Sequence, residues 1–201
     1  WASVAFRESP GFKMETLAIP PEMMASRLSG AGKALLAKLR DYRHLAMWVI
    51  AVRAESVGTV RPGLLGKPVV RYSADRADME RVRKGEAQVA RTHFAAGARR
   101  VLPVIYGLPY SIGPDEIRVI EEGPLDPRAY ISILSHLFGG CVMGRDPESS
   151  VVDDRGRVHG YDGLVVADAS VIPTNLGVNP QHTIMALASL AATRIAATRE
   201  T

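Results

Sequence analysis

The chain has 201 residues, 47% of them hydrophobic and 23% charged, a composition that excludes disordered and fibrous classes. Its net charge of +4 comes from Arg and Lys scattered among Asp and Glu, with no basic block or stripe, so nucleic-acid binding is not expected. A lone cysteine, Cys141, excludes an internal disulfide and fits a reducing, cytoplasmic setting.

The chain opens on Trp1 inside a strand-like phrase, Ala2-Ser3-Val4-Ala5-Phe6, and reads as one that lacks its natural N-terminus. No signal-peptide pattern is visible. A turn-rich start with Pro10, Gly11, Pro20 and Pro21 leads into an expected helix over 21–39, whose apolar face is Leu28, Leu35, Leu36 and Leu39. The longest apolar run, residues 45–52, is far below the roughly 18 needed to span a bilayer and reads as a buried strand. Residues 58–60 and 69–72 read as further strands of an antiparallel meander.

Ser73 and Asp75 offer capping side chains to a helix running to about residue 96, with Met79, Val82, Val89 and Phe94 at helical spacing and Gly97 at its stop. Its charges, Asp78 among them, read as a solvated face. A short strand is expected over 101–105, then a Gly- and Pro-rich loop over 107–128 of the kind that is either packed or functional.

From Ile131 the chain becomes apolar and Gly-punctuated. Residues 164–167 read as a central parallel strand whose C-terminal end, at Asp168-Ala169-Ser170, faces a ligand crevice. A last helix starts explicitly: Asn179 is a good N-cap and Pro180 suits the first helical position. The helix N-terminus directs N–H groups and partial positive charge forward. Ile184, Leu187, Ala188, Ala191 and Ile195 would form its packed face.

Three familiar chemistries find no support. His136, His159 and His182 are evenly spaced but have no short-range partner, so no metal site is expected. No Gly-x-Ser-x-Gly elbow is present. Gly30-Ala31-Gly32-Lys33 lacks the full spacing of a phosphate loop, and Ala34 stands where Ser or Thr would hold magnesium.

Six ordered motifs do carry a signal. They are His136-Leu137-Phe138-Gly139-Gly140-Cys141-Val142-Met143-Gly144, Val151-Val152-Asp153, Arg157-Val158-His159-Gly160, Asp162-Gly163-Leu164, Asp168-Ala169-Ser170 and Asn179-Pro180-Gln181-His182-Thr183-Ile184-Met185. Over some sixty residues this succession resembles the C-terminal signature of the glucose-methanol-choline (GMC) oxidoreductases. The upstream part, Tyr42-Arg43-His44-Leu45 and residues 78–100, resembles the substrate domain of bacterial long-chain alcohol oxidase relatives.

The resemblance implies an α/β fold: an α+β substrate domain with an antiparallel sheet over 1–134, and over 135–201 the returning strand and helix of a Rossmann-like FAD domain. It implies FAD-dependent oxidation of a primary, hydrophobic alcohol by hydride transfer to the flavin. His136 would take the alcohol proton and Asn179 would orient the alcohol oxygen. Asp168 and Ala169 would contact the ribityl or pyrophosphate part of FAD, while Asn179, Pro180, Gln181 and Thr183 would bring the helix start to the flavin. Oxygen, a quinone or a cytochrome would take the electrons. The family's Gly-x-Gly-x-x-Gly fingerprint is absent from these residues, so a missing N-terminal segment is expected to grip the ADP half, and this chain alone to hold FAD weakly.

Leu137, Gly140 and Val142 depart from the family's Pro, Thr and Arg and loosen the turn carrying His136. Two alternatives therefore stay open: a lyase on the same scaffold with a structural flavin, and a non-catalytic remnant or assembly partner.

Overall fold

The computed structural model describes residues 2–199 and divides into two units. The first takes the chain up to Val57 together with Tyr72–Ser132; the second takes Gly58–Arg71 together with residues from Ile133 onward. The fold class is as expected, helices mixed with antiparallel sheet.

In the first unit β1 (Ala2–Ser3), β2 (Phe12–Thr16) and β3 (Trp48–Val52) form a three-stranded antiparallel sheet in that order. The register pairs Phe12 with Val52, Met14 with Ile50 and Thr16 with Trp48. Because side chains alternate along a strand, Phe12, Met14, Trp48, Ile50 and Val52 share one face. They pack into one core with Val89 of α3 (Arg76–Ala95). Gly85 is what lets the helix so close: a Cβ there would stand 2.9 Å from Ile50 Cδ1. A second stripe of α3, Ala87 and Ala90 with Phe94 beside them, covers a cluster made by Ile105, Ile112, Ile120 and Ala129.

The α3 boundaries follow the sequence reading. The Asp75 carboxylate accepts the Asp78 N–H at 2.8 Å, and Gly97, at φ +91°, takes the left-handed turn that ends the helix. The loop over 107–128 is packed, containing the short α4 (Arg118–Glu121) and the fully buried Ile112 and Ile120.

Several expectations are corrected. The helix over 21–39 is two, α1 (Pro21–Ala25) and α2 (Gly32–Leu39), separated at Gly30, whose φ of +103° no helix accommodates. The strand over 45–52 shortens to β3, and all five of its residues are only half-buried. Residues 101–105 make no strand: Pro103 removes a donor and Val104 lies at φ +54°, leaving isolated bridges from Val101 to Ile112 and Ile105 to Tyr130. Asp78 does not lie on a solvated face. It is 1% exposed and accepts hydrogen bonds from the Glu55 and Ser56 N–H groups, the Ser56 hydroxyl and Arg81.

Glu86, on α3, retains some solvent contact but sits deep enough that burial pushes its carboxyl up to about 7 from an ordinary 4.5. The folded chain therefore keeps a proton that the unfolded chain has released, and stability is lost as pH rises from about 4.5 through about 7. Glu86→Gln should stabilise the first unit above pH 7 by up to about 3 kcal/mol and leave it unchanged near pH 4.5. Thermal melts of both proteins across that range check this, and equal melting at pH 8 would reject it.

The second unit contains the hairpin β4 (Thr59–Pro62) and β5 (Pro68–Arg71), paired antiparallel from Thr59 with Arg71 to Pro62 with Pro68. Its core is small: Val152, Val171 and Ile172, with Phe138, Met143, Val158, Val166, Leu176, Ile184 and Leu187 packed around them. The last helix, α5, runs Gln181–Arg199. Residues 164–167 are not the central parallel strand expected. Leu164 is exposed, and only Val165 forms a bridge, antiparallel to Arg157, because no parallel neighbour exists among the described residues to complete a ladder.

Candidate active site

The motif 151–160 turns out to be a turn builder. Asp153 Oδ1 accepts the N–H groups of Arg155 at 2.8 Å and Arg157 at 2.9 Å, while Oδ2 pairs with the Arg157 guanidinium. Gly156 follows at φ +78°, and a Cβ there would lie 2.6 Å from the Val166 carbonyl oxygen, so no side chain fits. His159 Nε2 stands 3.1 Å from Ser150 Oγ and 3.2 Å from the Gly144 carbonyl oxygen, a structural placement. Among the described residues no group of three or more His, Cys, Asp or Glu could hold a metal ion.

The turn so formed buries Val152 completely, and against that core three segments meet. The first carries His136. Its backbone runs as a ladder beside the 168–172 segment: Gly139 N–H donates to Ile172 O at 2.9 Å, Cys141 N–H to Ser170 O at 3.0 Å and Met143 N–H to Val171 O at 3.0 Å. A Cβ at Gly140 would make an ordinary contact with the Ser170 Cβ at 3.4 Å, so the ladder does not depend on glycine there. Phe138 anchors this segment in the core, and His136, two residues earlier, is exposed in a left-handed conformation at φ +58°.

The second segment is the one-turn 3-10 helix Ala169–Val171. Asp168 caps it, its Oδ1 accepting both the Ser170 N–H at 2.8 Å and the Ser170 hydroxyl. The hydroxyl bond first, and then the N–H bond, hold the Asp168 carboxyl below the usual carboxylate range. Asp168 is thus an exposed anion with one oxygen committed and Oδ2 directed to no partner among the described residues. Ala169 is half-buried.

The third is the start of α5. The Pro180 carbonyl accepts the Ile184 N–H at 2.9 Å, so Pro180 occupies the cap position itself and the helix begins at Gln181, one residue later than the sequence suggested. The Pro180 ring is fully buried and Ile184 and Leu187 reach the core, whereas Asn179, Gln181, His182 and Thr183 are exposed. The first N–H groups of any helix have no acceptor within it, so this turn offers donors and partial positive charge.

The structure thus gathers the His136 segment, Asp168 with Ala169, and the Asn179–Thr183 turn around one core, each anchored by an apolar residue and presenting a polar one outward. Sequence reasoning gave no site role to Cys141 and Ser170, whose backbone contact joins the first two segments. The Asp-x-Ser spacing of a side-chain-capped turn was the available signal for Ser170.

Comparison with known proteins adds the following. Residues 54–188 match the model of the family described as GMC oxidoreductase. An uncharacterized GMC-type oxidoreductase, y4nJ, of Sinorhizobium fredii is 40% identical over 138 residues, 68% of this chain and 27% of that protein. The long-chain-alcohol oxidase FAO1 of Arabidopsis thaliana is 31% identical over an alignment of 206 positions, 94% of this chain and 26% of its own length. Among solved structures, pyridoxine 4-oxidase from Mesorbium loti matches with a TM-score of 0.53 at 25% identity, over 74% of this chain and 29% of that one. The chain spans about a quarter of the length of these relatives.

Proposed function

This chain belongs to the GMC oxidoreductase family, and we propose that it carries the residues with which an FAD-dependent enzyme of that family oxidises a primary, hydrophobic alcohol to the aldehyde. The observation that carries the reading is the convergence of three motif segments on one small core with their polar ends exposed. The substrate class draws on the likeness to a long-chain-alcohol oxidase.

His136 is the base: its imidazole accepts the hydroxyl proton as the α-hydrogen leaves carbon with both electrons of its bond. Asn179 holds the alcohol oxygen in place through its side-chain amide, so that the proton points at His136. FAD, when bound, supplies the acceptor for that hydride. The first turn of α5, Pro180 to Thr183, offers N–H groups and a partial positive charge that favour an electron-rich ring edge in front of it.

The donor set around Asp168 fits one part of the cofactor better than another. An ionised carboxylate with a vacant acceptor oxygen attracts ribityl hydroxyls and repels pyrophosphate, so Asp168, with Ala169 beside it, belongs at the ribityl chain. On this reading residues 135–201 complete the FAD domain and 1–134 contribute to the substrate domain.

The test is optical. A flavin-loaded preparation in which an N-terminal FAD-binding segment accompanies these residues, freed of oxygen and given a long-chain primary alcohol, should lose its visible flavin absorbance, and readmitted oxygen then separates oxidase from dehydrogenase. Flavin that stays oxidised with long-chain, short-chain, sugar and sterol alcohols alike would sink the proposal.

A further inference from the structure

The β4–β5 hairpin is built for contact with something that the described residues do not provide. Its register places Val60 opposite Val70 and Pro62 opposite Pro68, and alternation puts these four on one face. They are all exposed, Val60 to 67% and Val70 to 63%. At the tip Leu64 and Leu65 are 87% and 88% exposed, and Leu65 is held at φ +57°. Loops that join strands in water are ordinarily polar, with Gly, Asn or Asp at the positions of positive φ. Here two leucines occupy the place, closed by the Gly63 N–H donating to Lys67 O at 2.8 Å.

Charge on the hairpin is of one sign. Arg61 precedes the leucines and Lys67 and Arg71 follow them; all three are exposed, and none forms an ion pair among the described residues. The sequence has no acidic residue between Glu55 and Asp75. A hairpin of two strands is marginal in water by itself, so an apolar face and tip of this size imply an environment that covers them. Apolar residues at the tip, with cations further along both strands, match the layering of a bilayer surface, where anionic headgroups overlie acyl chains. A protein groove would have to supply both chemistries in the same order.

We propose that this hairpin docks on an anionic phospholipid surface, Leu64 and Leu65 entering the acyl boundary and Arg61, Lys67 and Arg71 meeting lipid phosphates. Contact of this kind needs no membrane-spanning helix, and none of the described helices is long and apolar enough to be one. The inference goes beyond the redox reading and does not rest on it.

Cosedimentation of the chain with vesicles tests it, without flavin or substrate. Vesicles of phosphatidylcholine with phosphatidylserine should pull the chain down, and pure phosphatidylcholine should do so far less. The double variant Leu64→Ser, Leu65→Ser should lower the bound fraction at least about tenfold, and Arg61→Glu with Lys67→Glu should abolish the preference for anionic lipid. Both variants should melt with the parent, because the replaced side chains are exposed. Failure of the parent to bind either vesicle, equal binding by the leucine variant, or a parent dimer that the leucine variant splits would overturn the proposal.

Discussion

His136→Ala should slow anaerobic bleaching of the flavin by long-chain alcohol by about 10²–10⁴-fold, the range that loss of a positioned general base produces. His136 is exposed and lies outside the core, so the variant should melt close to the parent and the loss should be chemical. His159 provides the contrast. Its ring contacts Ser150 and Gly144, so His159→Ala should loosen the turn around Val152 and lower the melting temperature. If His136→Ala bleaches as fast as the parent, the base lies elsewhere.

The second large effect concerns stability. Asp78→Asn should destabilise the first unit by about 3–5 kcal/mol, because it leaves Arg81 without its buried partner and returns a donor amide to a place filled with donors. Burial works to raise the Asp78 pKa, but the Ser56 hydroxyl, the Ser56 and Glu55 N–H groups and Arg81 outweigh it and hold the carboxyl below the ordinary range. A depressed folded pKa supplies stability that is present above the unfolded pKa and lost as pH falls through the folded one. The parent should therefore weaken in acid while the variant shows less of that loss. Thermal melts at neutral and acidic pH measure both, and a variant melting with the parent at neutral pH would remove Asp78 as an anchor.

What could be read beforehand follows from where the information lies in the chain. The start and stop of α3 are local, an Asp75 carboxylate and a left-handed Gly97, and both were legible. The two strands over 59–71 were legible as strands, but they were read as continuing a meander from the 45–52 strand and instead form a two-stranded sheet of their own. Strand β2 was missed because Pro10, Gly11 and Pro20 crowd a run of five residues whose alternation of Phe12 and Met14 is too short to stand out. Residues 101–105 and 164–167 are apolar enough for strands, yet a strand exists only where another chain segment pairs with it. Asp78 looked like one charge among many on α3, and only the fold brings Ser56 to it. At the candidate site the motif residues were legible as a set, whereas their division of labour was not: Asp153, Gly156 and His159 shape a turn that the one-dimensional pattern cannot separate from the residues facing outward.

The left-handed backbone at His136 sets two selective pressures against each other. Glycine would adopt φ +58° without the steric penalty of a Cβ, roughly 1–2 kcal/mol for an L-residue, so selection for folding alone would drift this position toward glycine. On the proposed reading the strain at His136 holds the imidazole outside the core, where the alcohol would meet it. His136→Gly should then relieve the backbone while removing the base, so that a more stable chain would be a slower one.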